Sequence, residues 1–371
     1  MRRKYTELFY ENGNLKFEGV FQEGQANGYG KMYFQNGHLQ YEGEWKNNLY
    51  HGKGKLYSED GRLIYEGIFQ FGKYHTSTES HLTEEYTSHL DNLMQELESL
   101  IGLHHVKKDV YNMINLVKVQ QLRKKEGLRS TPISLHMVFS GNPGTGKTTI
   151  ARLISEIYKE LGVLSKGHLI EVDRSGLVSG YLGQTALKVK DVVGSAIGGI
   201  LFIDEAYSLS NNNDDYGQEA IDTLIKMMED HRNDLVVIVA GYPKQMEDFL
   251  NSNPGMQSRF NKHIQFDDYN EQELLEIIQY MCHKEAYEMD EELVNGLQTI
   301  FLSLVENKDS GTFGNARIVR NIFEKLIAYQ ANRIMSKPNL TKEDLTKLSN
   351  SDLQRIITNK DFKEISSVMP S

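Results

Sequence analysis

The apolar and polar positions of the chain follow different rules in different stretches. Over residues 1–75, short aromatic-rich runs such as KMYF and KLYS alternate apolar with polar positions and break at Asn-Gly, Glu-Gly or Asp-Gly. A period of two with glycine at the breaks predicts β-hairpins, the glycines supplying positive φ in the turns. Residues 76–92 are polar, rich in Ser, Thr, His and Glu, and read as a linker running into a helix. From about residue 93 the spacing is helical, in LMQELESLIGL and then VYNMINLVKVQQLRKKEGL. Apolar runs then alternate with helical patterns: LHMVFSG, HLIEVD, GILFIDE, DLVVIVAGY and HIQFDDY. Apolar strands alternating with helices predict an α/β domain around a parallel sheet. From 271 onward the pattern is helical throughout. The expected organisation is a β domain over 1–75, a linker over 76–92, an α/β domain over 93–270, a helical region over 271–349 and a tail over 350–371.

The first segment is also periodic. Phe17, Tyr41 and Tyr65 lie 24 residues apart, and each precedes Glu-Gly. Gly13, Gly37 and Gly61 keep the same step, and Gly28 and Gly30 recur as Gly52 and Gly54. A fixed period in this range signals stacked supersecondary units. Sixteen of the chain's 36 aromatic residues fall in this fifth of the sequence, so the units are expected to share a thin core of stacked rings. No crossover helix follows the Gly-x-Gly pairs, which argues against a dinucleotide fingerprint.

Charge narrows the function classes. The net charge is −10, yet residues 1–75 carry 10 basic against 9 acidic residues, which leaves −11 on the remainder. An acidic bulk disfavours nucleic acid as partner, because phosphate binding needs a basic face. A net of +1 over the repeats offers no polybasic patch for anionic lipid, so a protein partner ranks above a membrane. MRRKYTELFYENG has no apolar run behind its basic residues, and no stretch approaches the ~20 apolar residues of a spanning helix. Cys282 is the only cysteine, which excludes an internal disulfide and fits a reducing, cytoplasmic compartment. It lies in the helical pattern IIQYMCHKEA and reads as a buried structural thiol. The twelve histidines form neither HExxH nor a Cys/His cluster, so no transition-metal site is expected.

Residues 141–149, GNPGTGKTT, follow an apolar strand and precede the helical TIARLISEIYKELG. In that context Gly141-x4-Gly146-Lys147-Thr148 is a P-loop. Gly141, Gly144 and Gly146 would let backbone N–H groups curl around phosphate oxygens at a helix N-terminus, and Asn142, Pro143, Thr145 and Thr149 are the remaining nucleotide-binding residues of the loop. Lys147 is expected to reach the β/γ-phosphates, and the Thr148 hydroxyl to ligate Mg²⁺. GILFIDEA, residues 199–206, reads as a buried strand with Asp204 and Glu205 at its C-terminal edge, where open α/β sheets bind ligands. Asp204 is expected to hold Mg²⁺ through water, and Glu205 to polarise the attacking water as general base. NKD at 307–309 and at 359–361 is not Asn-Lys-x-Asp, the guanine-reading pattern, so ATP is the expected nucleotide.

With these motifs in place, residues from about 95 to 335 resemble an AAA+ ATPase, most closely the subfamily of the red-type Rubisco activase CbbX and stage V sporulation protein K. The resemblance rests on SLHMVFSGNPGTGKTT, KGHLIEVDRSGLVSGYLGQTALKV, GILFIDEAYSL, VAGYPKQMEDFLNSNPGMQSRF and GNARIVRN. The first segment resembles MORN repeats, in YEGEW at 41–45 and HGKG at 51–54. The implied fold is an α/β P-loop AAA+ domain with a C-terminal helical lid, preceded by an all-β MORN-repeat domain of stacked hairpins.

By that resemblance, Ile101 and Gly102 in LIGL lie beside the adenine, and Arg259 in NPGMQSRF is an arginine finger that reaches a neighbouring subunit's γ-phosphate. Arg317 in GNAR is the sensor-2 arginine, with Arg320 one turn later as its competitor. The sensor-1 position, often Asn, falls on Tyr242 or its neighbours. The resemblance also implies a hexameric ring of identical chains, with Tyr181, Leu182 and Gly183 of SGYLGQT on a pore loop that grips a polypeptide. The alternative for Tyr181 is packing against its own domain. NNNDD at 211–215 is a candidate second pore loop. Function then divides between an ATPase that remodels a protein client recruited by the repeats and a nucleotide-set scaffold whose repeats bind a protein or membrane partner.

Overall fold

The computed structural model describes residues 4–10, 12–22, 25–70, 72–74, 83–129, 133–181, 183–210, 215–306, 313–337 and 339–358. The chain divides into two compact units, Met1–Glu85 and Tyr86–Ser371.

The first unit is a seven-stranded antiparallel sheet in chain order. Its strands are β1 (Lys4–Phe9), β2 (Leu15–Gln22), β3 (Gln25–Tyr33), β4 (Leu39–Lys46), β5 (Leu49–Tyr57), β6 (Leu63–Gln70) and β7 (Lys73–Tyr74). The 24-residue period is a hairpin step. Gly13, Gly37 and Gly61 turn the chain at φ of 84°, 87° and 85°. Their N–H groups donate to the carbonyls of Tyr10, Phe34 and Ser58. A second set of glycines forms a row across the strands, Gly19 opposite Gly30, Gly30 opposite Gly43, Gly43 opposite Gly54 and Gly54 opposite Gly67. Aromatic rings lie on that row: a Cβ on Gly30 would stand 2.7 Å from Phe17 Cζ. Tyr41 and Phe69 are fully buried. Tyr41 stacks on Tyr50 with ring centroids 3.9 Å apart and meets Trp45 edge-on at 5.3 Å. Glycine is therefore what gives the thin aromatic core its seat.

The second unit is built on a five-stranded parallel sheet, ordered β12-β8-β11-β10-β9. The strands are β8 (Met137–Gly141), β9 (Leu169–Val172), β10 (Ile200–Ile203), β11 (Val236–Gly241) and β12 (Lys262–Phe266). Each coincides with one of the apolar runs read from the sequence. In the three central strands β8, β10 and β11 alternate side chains enter different cores, which is why those runs are the most continuously apolar; the edge strands keep one open face, with Glu171 of β9 and His263 and Gln265 of β12 exposed. Phe139, Phe202 and Ile238 pack with α1 (Thr83–Ser99), α2 (His104–Lys125) and α3 (Lys147–Glu160). Val138, Leu201 and Val237 pack on the other face. There they meet α4 (Arg174–Leu177), α5 (Thr185–Ala196), α6 (Asp215–Asp230), α7 (Pro243–Asn251) and α8 (Pro254–Arg259). Helix α1 begins at Thr83, inside the stretch expected to be linker. Its Leu90, Leu93, Met94 and Leu97 follow the i, i+3, i+4, i+7 spacing and seat it on the first core.

A helical lid follows: α9 (Glu271–Lys284), α10 (Glu291–Glu306), α11 (Ala316–Ile334), α12 (Lys342–Thr346) and α13 (Asn350–Thr358). Asn270 and Glu273 form a capping box at the start of α9. The residues from 350 to 358 are not the tail expected from sequence. Leu353 and Ile356 of α13 are buried in the lid core. Asp352, fully buried, receives two hydrogen bonds from Arg333 of α11, at 2.8 and 2.9 Å. Cys282 is buried in the same core, and burial pushes its thiol up to about 11. Among the described residues no helix is long and apolar enough to cross a membrane.

Candidate functional site

The P-loop joins β8 to α3, at the C-terminal edge of the parallel sheet. Gly144 and Gly146 take φ of 74° and 93°, a region open to glycine at little steric expense. Gly141, Asn142 and Thr145 form the back of the loop. Thr145 is fully buried and donates through Oγ1 to the Asn142 carbonyl at 2.8 Å. Pro143, Gly144, Gly146, Lys147, Thr148 and Thr149 line a cavity of about 290 Å³. Asp204, Glu205, Gly241, Tyr242, Ala316, Arg317 and Arg320 complete its wall.

Strand β10 delivers the two acids. Asp204 N–H donates to the Val172 carbonyl at 2.8 Å, which extends the pairing with β9 by one residue. Glu205 then takes φ of 48° and donates its N–H to Asp204 Oδ1 at 3.1 Å. A residue with a Cβ held in such a region costs about 1–3 kcal/mol, and such strain gathers at functional sites. Thr148 Oγ1 donates to Glu171 Oε1 at 3.3 Å. The Thr148 hydroxyl and the Asp204 carboxylate are hard oxygen donors on one cavity wall, the chemistry that suits Mg²⁺.

Lys147 Nζ donates to the carbonyls of Gly141 at 2.7 Å and Asn142 at 2.9 Å. Burial lowers its pKa to about 8, against the pull of the Asp204 carboxylate and with a further push from Arg317. Phosphate would engage the ammonium form. Below about 8 the free site already carries that proton; above it, binding must take one up. Nucleotide affinity is therefore expected to fall as pH rises through about 8, by up to about tenfold per unit until the bound-state pKa is reached. Calorimetric titrations at pH 7 and 9 check this, and equal affinities would contradict it.

Tyr242 follows β11 and precedes α7. Burial raises its phenol pKa, and the neighbouring Glu205 carboxylate adds to the effect. Tyr242 and its neighbour Gly241, both within the stretch offered for sensor 1, line the cavity. Arg317 and Arg320, one turn apart on α11, both line it as well, so position does not separate the competitors.

Other expected residues lie elsewhere. Ile101 packs against the lid core. Gly102 takes φ of 62°, and a Cβ there would run into Glu273 and Tyr269. Neither lines the cavity. Arg259 ends α8, faces Glu229 at 3.5 Å, and is not part of the cavity wall of its own chain. Tyr181 is 72% exposed, so its side chain does not pack back on its own domain. The base of its loop is stitched by Ser179 N–H donating to Thr185 Oγ1 at 3.1 Å. A Cβ on Gly180 or Gly183 would meet nothing within 4 Å. Leu182, residues 211–214 and both NKD triplets lie outside the described residues. Sequence reasoning passed over Gly241 and Ala316. Gly241 ends the strand beside β8, a readable signal. Ala316 enters through its backbone N–H, which donates to the Gly144 carbonyl at 3.2 Å and has no side-chain signature.

Comparison with known families matches residues 137–268 to the ATPase family associated with various cellular activities (AAA). Residues 270–363 match the AAA lid domain, and 17–39 and 41–61 match the MORN repeat. Stage V sporulation protein K of Bacillus subtilis (strain 168) is 42% identical over 265 residues, covering 71% of this chain and 82% of that protein. The chloroplastic ribulose bisphosphate carboxylase/oxygenase activase of Cyanidioschyzon merolae is 43% identical over 277 residues, 73% of this chain and 93% of that one. Protein CbbX of Cereibacter sphaeroides is 44% identical over 263 residues, 70% of this chain and 84% of that one.

Proposed function

The chain belongs to the AAA family of ATPases and is an ATP hydrolase, and from that premise we propose that it forms a ring that spends ATP on remodelling a protein client recruited by its MORN repeats. The supporting observation is a single cavity that joins the P-loop, the Asp204–Glu205 pair and Arg317 of the lid. In this reading Lys147 exchanges its loop carbonyls for β/γ-phosphate oxygens, and P-loop N–H groups hold the remaining phosphate charge. Thr148, directly, and Asp204, through water, would hold Mg²⁺, which would supply positive charge against the phosphates. Glu205 accepts the proton of the attacking water on a carboxylate oxygen. Arg317 contacts the nucleotide from the lid, and Arg259 serves the cavity of the next subunit in a hexamer. The compartment proposed is the cytoplasm, and the partner a protein rather than nucleic acid.

The exposure of Tyr181 supports a grip on client polypeptide: an aromatic face between sterically open glycines binds chain of any sequence. Tyr181→Ala is expected to keep basal ATPase and melting temperature, within the roughly 0.5 kcal/mol of an ordinary surface substitution. Stimulation by client and remodelling should be lost, and Tyr181→Phe should retain both. Basal hydrolysis and thermal melting of the purified variant provide the check. A destabilised, ATPase-poor Tyr181→Ala protein would refute the pore-loop role.

A further inference from the structure

Asn315 has no solvent exposure, yet the phosphate chemistry makes no use of it. It precedes α11 at φ 48° and ψ −128°, a conformation unfavourable for any residue with a Cβ. Asparagine before a helix normally caps it by accepting a hydrogen bond from the first turn. Asn315 makes no such bond. Its amide is committed elsewhere. Oδ1 accepts from Tyr269 N–H at 2.9 Å. Nδ2 donates to Asp268 Oδ1 at 2.8 Å, the Phe313 carbonyl at 3.0 Å and the Pro143 carbonyl at 3.3 Å. Asp268 Oδ1 accepts in turn from Asn142 Nδ2 at 2.9 Å.

These partners come from separate parts of the second unit. Asn142 and Pro143 belong to the P-loop, Asp268 and Tyr269 to the segment joining β12 to the lid, and Asn315 to the lid itself. The contact is close: a Cβ on Gly144 would strike the Gly314 carbonyl and stand 2.9 Å from Arg317 N. Arg317 and Arg320 project from the turns that Asn315 anchors and line the cavity. A buried amide and an unfavourable backbone angle both oppose folding unless the surroundings hold them. Here the holding groups are the phosphate loop and the segment that joins β12 to the lid.

We propose that Asn315 is a positioning residue for ATP hydrolysis: through Asp268 and Pro143 it ties the angle of the lid to the P-loop, and so fixes Arg317 and Arg320 against the nucleotide. The proposal rests on the nucleotide-site reading above. Asn315→Gly deletes the amide but tolerates the backbone angle. It should raise the KM for ATP by about tenfold with a smaller change in kcat, the pattern of lost binding rather than lost chemistry. Asp268→Ala should act alike, and the double variant should be no worse than the single ones, because they break one network. Asp268→Asn keeps an acceptor without its charge and should give an intermediate KM; it covers the case of a poorly folded glycine variant. Asp352→Asn, which weakens the Arg333 pair deep in the lid, is the stability control: a lower melting temperature with an unchanged KM. An unchanged KM in the Asn315 and Asp268 variants, or effects that simply add, would overturn the proposal while leaving the nucleotide site intact. Absence of MgATP turnover in the parent chain would instead overturn the site reading, and this inference with it.

Discussion

Lys147→Ala is expected to lose nucleotide binding outright in a calorimetric titration with MgATP. Its ammonium donates to the Gly141 and Asn142 carbonyls of the phosphate loop. In the bound state those donors would meet charged oxygens instead. Charge-assisted hydrogen bonds contribute about 1.5–3 kcal/mol each, so losing two of them weakens binding by roughly 10²-fold or more. The same change should not destabilise the free protein through this charge. The folded-state pKa of about 8 lies below the ordinary lysine value, so the charged form is disfavoured in the fold. That opposition is fully present below about 8 and fades as pH rises toward the unfolded value. A melting temperature held or raised, together with lost binding, separates a phosphate contact from a structural one. Unchanged affinity would refute the P-loop assignment.

Arg259→Ala should give the second large effect, a fall in kcat of about 10³-fold with ATP binding retained. Within its own chain Arg259 has modest partners. It faces Glu229 at 3.5 Å and donates to the Gly255 carbonyl at 3.3 Å. Glu229 is 52% exposed, and an ion pair so open to water is worth about 1 kcal/mol at most. Breaking that pair cannot produce a thousandfold loss. Nor does Arg259 line its own cavity. A defect of that size, with the melting temperature kept, would support the proposed action of the guanidinium on another subunit's phosphates. Single-turnover and equilibrium-binding measurements on the variant separate the lost chemistry from lost affinity, and a kcat within tenfold of the parent would contradict the role.

Much of this was legible in the sequence because the physics is local. The three central strands announce themselves as apolar runs since both faces of each are covered, and β12 as an alternation because only Ile264 and Phe266 face a core. The glycine period betrays the hairpin array because a turn at positive φ and a ring lying on a strand both exclude a Cβ. The P-loop and the Asp204–Glu205 pair are contiguous motifs, and the fold brings them to one cavity. What escaped depends on contacts remote in the chain. Helix α13 reads as a polar tail, yet it is held by the Arg333–Asp352 pair across 19 residues. The first turns of α1 are polar, which hides a helix behind the composition of a linker. The Asn315 network spans 47 residues to Asp268 and 172 to Pro143, so no periodicity could reveal it. Ile101 and Gly102, placed beside adenine by resemblance, lie against the lid through Glu273 and Tyr269, contacts more than 160 residues away in the chain.

The central claim is that hydrolysis is completed across a subunit interface, with Glu205 from one chain and Arg259 from its neighbour. The measurement that tests it most directly is ATP turnover in mixtures of Glu205→Gln and Arg259→Ala proteins over a range of ratios. Each variant alone should be nearly inactive. In a mixed ring, an Arg259→Ala subunit still offers Glu205, and an adjacent Glu205→Gln subunit still offers Arg259. Turnover should therefore rise to a maximum at intermediate ratios. Flat, low turnover at every ratio, with mixed assemblies demonstrated by native mass spectrometry, would contradict a site shared between subunits.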